Sequence, residues 1–148
     1  MLGRPITGES HEGTGLVGHG HCYSDGLPDR AGFALMKPPI DMDDFRALHL
    51  AAGQIIHVNV IRRRKRSAYH VRIDFGRTIG ERWSVIQATR EYTESEMENR
   101  IVIALINVPR RRVLETDSEV LILGVPAPDG TVSLLGPSRG AQLGGDVY

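Results

Sequence analysis

Two runs of cationic side chains are the groups in this sequence best suited to do chemistry. The first is Arg62-Arg63-Arg64-Lys65-Arg66 and the second is Arg110-Arg111-Arg112. Adjacent like charges repel one another, and the partner that relieves the repulsion is an anion, above all a phosphate oxygen. Between residues 61 and 73 six basic groups stand against no acidic one. The formal net charge of +0 hides this layout. Residues 1–36 hold Arg4 and Arg30 against Glu9, Glu12, Asp25 and Asp29, a balance of −2, so the remainder carries +2. The competing use for either run is a solvated loop that keeps the chain in solution.

Other reactive groups are sparse. His11, His19, His21 and Cys22 crowd one stretch, but H-x-H-C fits no closed four-ligand metal site, and no metal is expected. His57 and His70 read as exposed strand residues, and spacing gives neither an acid–base partner. Asp74 in I-D-F-G lacks the glycine-rich loop and catalytic loop that would make it a magnesium ligand. No nucleophile–base pair or paired carboxylates stand at useful spacing, so a binding protein without cofactor is expected rather than an enzyme. Cys22 is the lone cysteine, which excludes an intramolecular disulfide and suits a reducing compartment. There is no run of eighteen apolar residues and no signal-peptide pattern, so the expected setting is cytoplasmic.

The elements that must hold the basic runs are mostly strands. In S-A-Y-H-V-R-I-D-F-G, Val71, Ile73 and Phe75 fall on one face and Arg72 and Asp74 on the other. Gly76 and Gly80 bracket a turn, and Trp83–Ala88 leads away as a second strand. The preceding strand, Gln54–Ile61, places Ile56, Val58 and Val60 together, opposite His57 and Asn59. Asp41–Leu48 reads as a short helical turn, with Asp41 as its N-cap. Thr93-Glu94-Ser95-Glu96 is a capping box opening a short helix over Glu94–Asn99. Ile101–Asn107 reads as a strand buried on both sides and Ser118–Gly124 as another. Asp129-Gly130 marks a hairpin, Thr131–Leu135 completes the strands, and 136–148 is a glycine-rich tail.

Residues 1–35 are rich in Gly, His, Ser and Asp and poor in periodic apolar positions. They are expected to form a disordered extension before a domain at 36–148, with Met36 an alternative start of translation. Five strands with one helix between the third and fourth form the OB-fold barrel, which closes its sheet and so leaves no bare edge. The fold class expected is therefore all-β.

At this point the sequence resembles a known family. The run A-Y-H-V-R-I-D-F-G-R-T-I-G, then Ser84, Gln87, Thr89 and Tyr92, then N-V-P-R-R-R-V and S-E-V-L-I-L-G, is similar to CsaA-type export chaperones. That family belongs with the tRNA-binding domains that accompany some aminoacyl-tRNA synthetases and the EMAP II proteins. The resemblance spans about Phe45 to Leu135. It implies a homodimeric OB-fold that binds tRNA by shape, and in the CsaA branch unfolded or pre-secretory polypeptide as well. The site residues it implies are Lys65 and Arg66 in the first loop, with Ser84 and Gln87 on the strand after the hairpin turn. Asn107, Arg110, Arg111 and Arg112 follow in the N-x-P-R-R loop, then Ser118 and Glu119 in S-E-V.

Three departures bear on function, the first being His49-Leu50-Ala51 where the family commonly has an Asp-x-Arg pattern before the first strand, so that any rim ion pair it provides is absent. S-V-I-Q stands where the family has S-S-A-Q, so Val85 and Ile86 make that strand greasier. Arg62, Arg63 and Arg64 add charge where relatives are more acidic or neutral. One reading follows from the charge: structured RNA held through its backbone by the two basic loops, with Ser84, Gln87 and Asn107 supplying directional hydrogen bonds. The other is a chaperone that holds unfolded polypeptide in an apolar cleft near Trp83, Val85 and Ile86, driven by buried apolar area. Tyr69 and Trp83 are the only stacking candidates near the loops, which favours recognition of RNA by shape over single-strand binding.

Overall fold

The computed structural model of the chain describes residues 37–64 and 66–148. The expectations for the extension 1–35, for Met36, and for His11, His19, His21 and Cys22 lie outside the described residues, as does Lys65. After a single helical turn, α1 (Met42–Arg46), come three long strands: β1 (Leu50–Arg63), β2 (Arg66–Asp74) and β3 (Glu81–Ile86). The turn between β2 and β3 is a one-turn helix, α2 (Gly76–Ile79), flanked by Gly76 and Gly80 at φ 80° and 74°. These are left-handed values that glycine adopts without strain. Then follow α3 (Glu94–Met97), β4 (Ile101–Leu105), β5 (Arg111–Val113), β6 (Thr116–Ser118), β7 (Leu121–Ile122), β8 (Gly124–Pro126) and β9 (Val132–Leu134). The main sheet runs β3-β2-β1-β4-β7, and β5-β6 and β8-β9 are two-stranded ribbons. The architecture is all-β, an OB-fold-type barrel with α3 between its third and fourth strands.

β1 serves two neighbours, and a bulge lets it. Residues 54–63 pair antiparallel with β2, and residues 50–54 pair with β4 on the opposite edge. At the changeover Ile55 N–H donates to the Arg100 carbonyl (2.9 Å) and Asn99 N–H to the Ile55 carbonyl (2.8 Å). Register slips between Ile55 and His57, so Ile56 is the extra residue. The expected face of Ile56, Val58 and Val60 is corrected accordingly. Ile55 and Val58 are the core residues and Ile56 is exposed.

The barrel closes where β3 meets the chain between β6 and β7. Glu119 N–H donates to the Trp83 carbonyl (2.8 Å), and Trp83 N–H donates back to the Glu119 carboxylate (2.9 Å). Val85 N–H donates to the Ser118 hydroxyl (3.3 Å). Side chains thus replace a regular ladder here, which is why the expected strand over Ser118–Gly124 is in fact split among β6, β7 and β8. β4 likewise differs from expectation: Val102 and Ala104 are fully buried, whereas Ile101, Ile103 and Leu105 are half-buried.

The C-terminal segment is not a loose tail. Gly144 N–H donates to Ala52, Ala52 N–H to Gly145 and Val147 N–H to Leu50, at 2.8–3.1 Å, filling the edge of β1 that β2 leaves open. Gly144 sits at φ 76°, and any Cβ there would run into the Phe75 carbonyl. The capping box of α3 forms as expected, and Met97 from that helix plugs the core. The centre of the core is Phe75, Ile55, Ile73, Val71 and Val102, all fully buried.

Gly53 faces this centre. A Cβ there would stand 2.5 Å from Phe75 Cε1 and 2.6 Å from Ile73 Cγ2, neither of which has room to withdraw. Gly→Ala in a strand normally gains about 0.5–1 kcal/mol of backbone entropy, and overpacking costs about 1–3. Gly53→Ala is expected to destabilise by about 1–2 kcal/mol in urea unfolding, and a net gain would mean that the core is looser than described.

Candidate nucleic-acid interface

The two basic runs come together at one end of the barrel. The β1–β2 turn carries Arg62, Arg63, Arg64 and Arg66, all exposed. Beside it lies the β5–β6 hairpin, whose two-residue turn, Leu114-Glu115, is left-handed at both positions (φ 48° and 64°). That is the turn geometry whose twist matches two antiparallel strands, adopted here without glycine. Arg63 Nη2 donates to Glu115 Oε2 (2.9 Å) and Arg112 Nη2 to the Glu115 carbonyl (3.4 Å). Glu115 therefore tethers the two runs to a single rim.

Acidic groups interleave with this rim, and they divide the arginines into two kinds. Arg110 is held by Glu119 (2.7 Å) and lies 3.9 Å from Asp117, and Arg63 is held by Glu115. Arg62, Arg64, Arg66 and Arg111 form no ion pair and no side-chain hydrogen bond among the described residues, and all four are exposed. Exposed pairs of the first kind contribute little to stability, but they blunt the field those arginines offer. The four free guanidiniums are the charge available to an outside anion.

The other expected site residues are placed differently. Ser84 and Ser118 are 1% and 0% exposed, and both hydroxyls donate to the Val120 carbonyl, at 3.0 and 3.1 Å. Their work is barrel closure, which removes them from a surface site. Glu119 is half-buried and staples β3, so its part in a site is to hold Arg110. Asn107 reaches back to the start of the domain: its amide donates to the Ala47 carbonyl (2.7 Å) and accepts His49 N–H (2.9 Å). Gln87 is exposed just past β3. Sequence reading missed Asp117 and Glu115 as partners of the rim, although L-E-T-D stands in the sequence beside the second basic run.

The apolar cleft is not assembled as expected. Trp83 and Val85 lie on the outer face of β3, whereas Ile86 pairs with Tyr69 and packs inward against the core. Tyr69 is buried too, and its hydroxyl donates to the Tyr92 carbonyl (2.7 Å). It is therefore a core residue and not a stacking surface. Trp83 keeps aromatic company outside. His70 is stacked on it (centroids 4.3 Å apart, planes at 29°), and His57 meets it edge-on at 6.3 Å. His70 is thus half-buried rather than exposed, and burial holds its imidazole below the ordinary histidine range, against the main chain of Asp117 and the Asp117 and Glu119 carboxylates.

The pH consequence has a definite sign. A histidine depressed by folding binds protons more readily in the unfolded chain, so its contribution is complete above about pH 6.5 and fades as pH falls below that value. The wild type is therefore expected to lose more thermal stability between pH 7.5 and 5.5 than His70→Gln. Equal losses would show that His70 is not desolvated.

Among known proteins, the chain is similar to the crystal structure of chaperone CsaA from Bacillus anthracis, with 30% identity and a TM-score of 0.69 over 75% of this chain and 100% of that one. It is similar also to the CsaA chaperone protein from Picrophilus torridus, with 34% identity and a TM-score of 0.67 over 74% of this chain and 100% of that one. Over 108 residues it is 26% identical to the methionine–tRNA ligase of Archaeoglobus fulgidus, a match to 73% of this chain that spans only 16% of the ligase. No family model matches the chain.

Proposed function

This chain belongs to the CsaA-type family within the tRNA-binding-domain group, and from that membership we propose that it binds structured RNA of the tRNA kind. Phosphates rest on the rim formed by the β1–β2 turn and the β5–β6 hairpin. The observation that carries this reading is the convergence, through Arg63–Glu115, of two basic runs 48 positions apart, with Arg62, Arg64, Arg66 and Arg111 left without a carboxylate among the described residues. Arg112 adds charge from β5, Lys65 belongs to the same basic run, and Gln87 lies beyond β3 as a hydrogen-bonding group. Guanidinium pairs with phosphate in a fork of parallel hydrogen bonds, which suits a backbone recognised by shape. The protein is read as a binding protein rather than an enzyme, one that works in the cytoplasm through a domain at 36–148.

Two copies make the working unit. Where the α1–β1 connection meets the C-terminal segment, Leu48, Val147 and Tyr148 are exposed side by side. An apolar patch of this kind is a natural homodimer surface, and it would double the number of rims presented to one RNA.

Binding of unfolded polypeptide is the second reading, favoured by the outward placement of Trp83 and Val85 and by the chaperone relatives. NMR shift mapping with tRNA separates the readings. Perturbations centred on 62–66 and 110–115 support the rim, and perturbations confined to the Trp83–Val85 face, with the arginines unmoved, count against it.

A further inference from the structure

The outer face of β1, β2 and β3 carries a group that the basic rim does not use. The register sets His57, Arg72 and Trp83 in one row and Asn59, His70 and Val85 in the next. Trp83 is the chain's one tryptophan. His70 backs its indole, His57 meets it edge-on, and Arg72 Cζ lies 5.8 Å from its centroid. This is a braced aromatic surface on a face whose other members in these rows, Val85 apart, are polar. Among the described residues, the buried side-chain polar atoms without a hydrogen-bond partner are His70 Nε2 and Arg72 Nε, and both belong to neighbours of that indole. Folds keep few such atoms, so two beside one half-buried aromatic call for an explanation.

We propose that Trp83 is a stacking platform for an unpaired nucleobase of the bound RNA, a proposal that rests on the RNA-binding reading and adds to the phosphate rim a second point of contact. A base offers a flat π-surface for the indole together with donors and acceptors around its edge for the exposed polar side chains of the same rows, His57 and Asn59. An apolar peptide side chain offers the first without the second. The electrostatics agree. Glu81 is engaged by Arg72 (3.3 Å), Glu119 by Arg110 (2.7 Å), and Asp74 by the Gly76 N–H (2.7 Å), while Asp117, which faces His70, lies 3.9 Å from Arg110, so each carboxylate near these rows has a cation or an N–H to offset its charge among the described residues. Trp83 pairs with Arg72, which lies six positions along β2 from Arg66. At about 3.3 Å per residue the platform is roughly 20 Å from the rim. An RNA whose stem phosphates rest on the rim can lay a loop base there.

The test uses the full chain and the fluorescence of Trp83. An RNA hairpin with an unpaired loop and a blunt duplex of equal phosphate number are titrated in parallel, with affinity read from anisotropy of dye-labelled RNA. Both are expected to bind with similar salt dependence, and only the hairpin to quench Trp83. Trp83→Leu should weaken hairpin binding roughly 5- to 150-fold, the range for losing one base–aromatic stack, and leave duplex binding within about twofold. If that variant fails to fold, the wild-type quenching still decides. Hairpin binding without quenching overturns the platform while leaving the rim intact. Failure of both RNAs to bind overturns the rim and the platform together. Quenching by an unfolded polypeptide, with the hairpin silent, gives this face to peptides and also overturns the proposal.

Discussion

Replacing Arg62, Arg64, Arg66 and Arg111 together with alanine is expected to weaken tRNA binding on the order of 10²-fold or more near 0.1 M salt, with folding intact. The magnitude follows from counterion release. Each phosphate neutralised by a cation contributes about 0.9 to the slope of log affinity against log salt on a duplex. Losing four contacts should make that slope about 3.6 units shallower. Stability should hardly change, because the four side chains are exposed and make no ion pair among the described residues. The informative control is Arg63→Ala with Arg110→Ala. These arginines are already held by Glu115 and Glu119, so their loss should cost less per residue than loss of the free four. Equal effects would mean that the acidic partners let go when RNA arrives. An unchanged slope in the fourfold variant would remove the rim from the interface.

The second large effect is in the core. Phe75→Ala should destabilise the domain by about 3–5 kcal/mol, the range for deleting a fully buried phenylalanine. Against a total of about 5–15 kcal/mol for an ordinary domain, the variant is left marginal. Phe75 does three things at once. Its ring fills the barrel centre against Gly53, its N–H donates to the Gly80 carbonyl (3.2 Å), and its carbonyl lies against Gly144 of the C-terminal segment. Only the first is lost on truncation, so the fold should survive with a hole beside Gly53. That gives a coupled result. Gly53→Ala, destabilising in the wild type, should cost less in the Phe75→Ala background, because the ring is gone and the hole it leaves gives Ile73 Cγ2, the other atom the new methyl meets, room to withdraw. Additive costs in urea unfolding would place the Gly53 strain elsewhere.

What could be read from the residues, and what could not, follows physical lines. The β2–α2–β3 hairpin was legible because strict alternation from Val71 to Phe75 and two glycines at left-handed φ leave few other structures. The capping box before α3 was legible for the same local reason. The bulge at Ile56 was not, because Ile55 and Ile56 are both apolar and either fits a buried phase. Only the need of Ile55 to bond Asn99 and Arg100 selects one. Ser84 and Ser118 read as surface groups in the sequence, yet both are buried. A hydroxyl does not announce whether it faces water or a carbonyl such as that of Val120. Ile86 was placed beside Val85, although adjacent residues of a strand face opposite ways. The glycine-rich C-terminus lacked periodicity because its apposition to β1 depends on the absence of side chains at Gly144.

Binding of tRNA to the purified full chain across a salt series, beside an unfolded model polypeptide, tests the central claim most directly. The account predicts tight tRNA binding that falls steeply with salt, and polypeptide binding that is weaker. Salt-insensitive capture of the polypeptide with negligible affinity for tRNA would contradict it, and would leave the free arginines of the rim as a solvated surface.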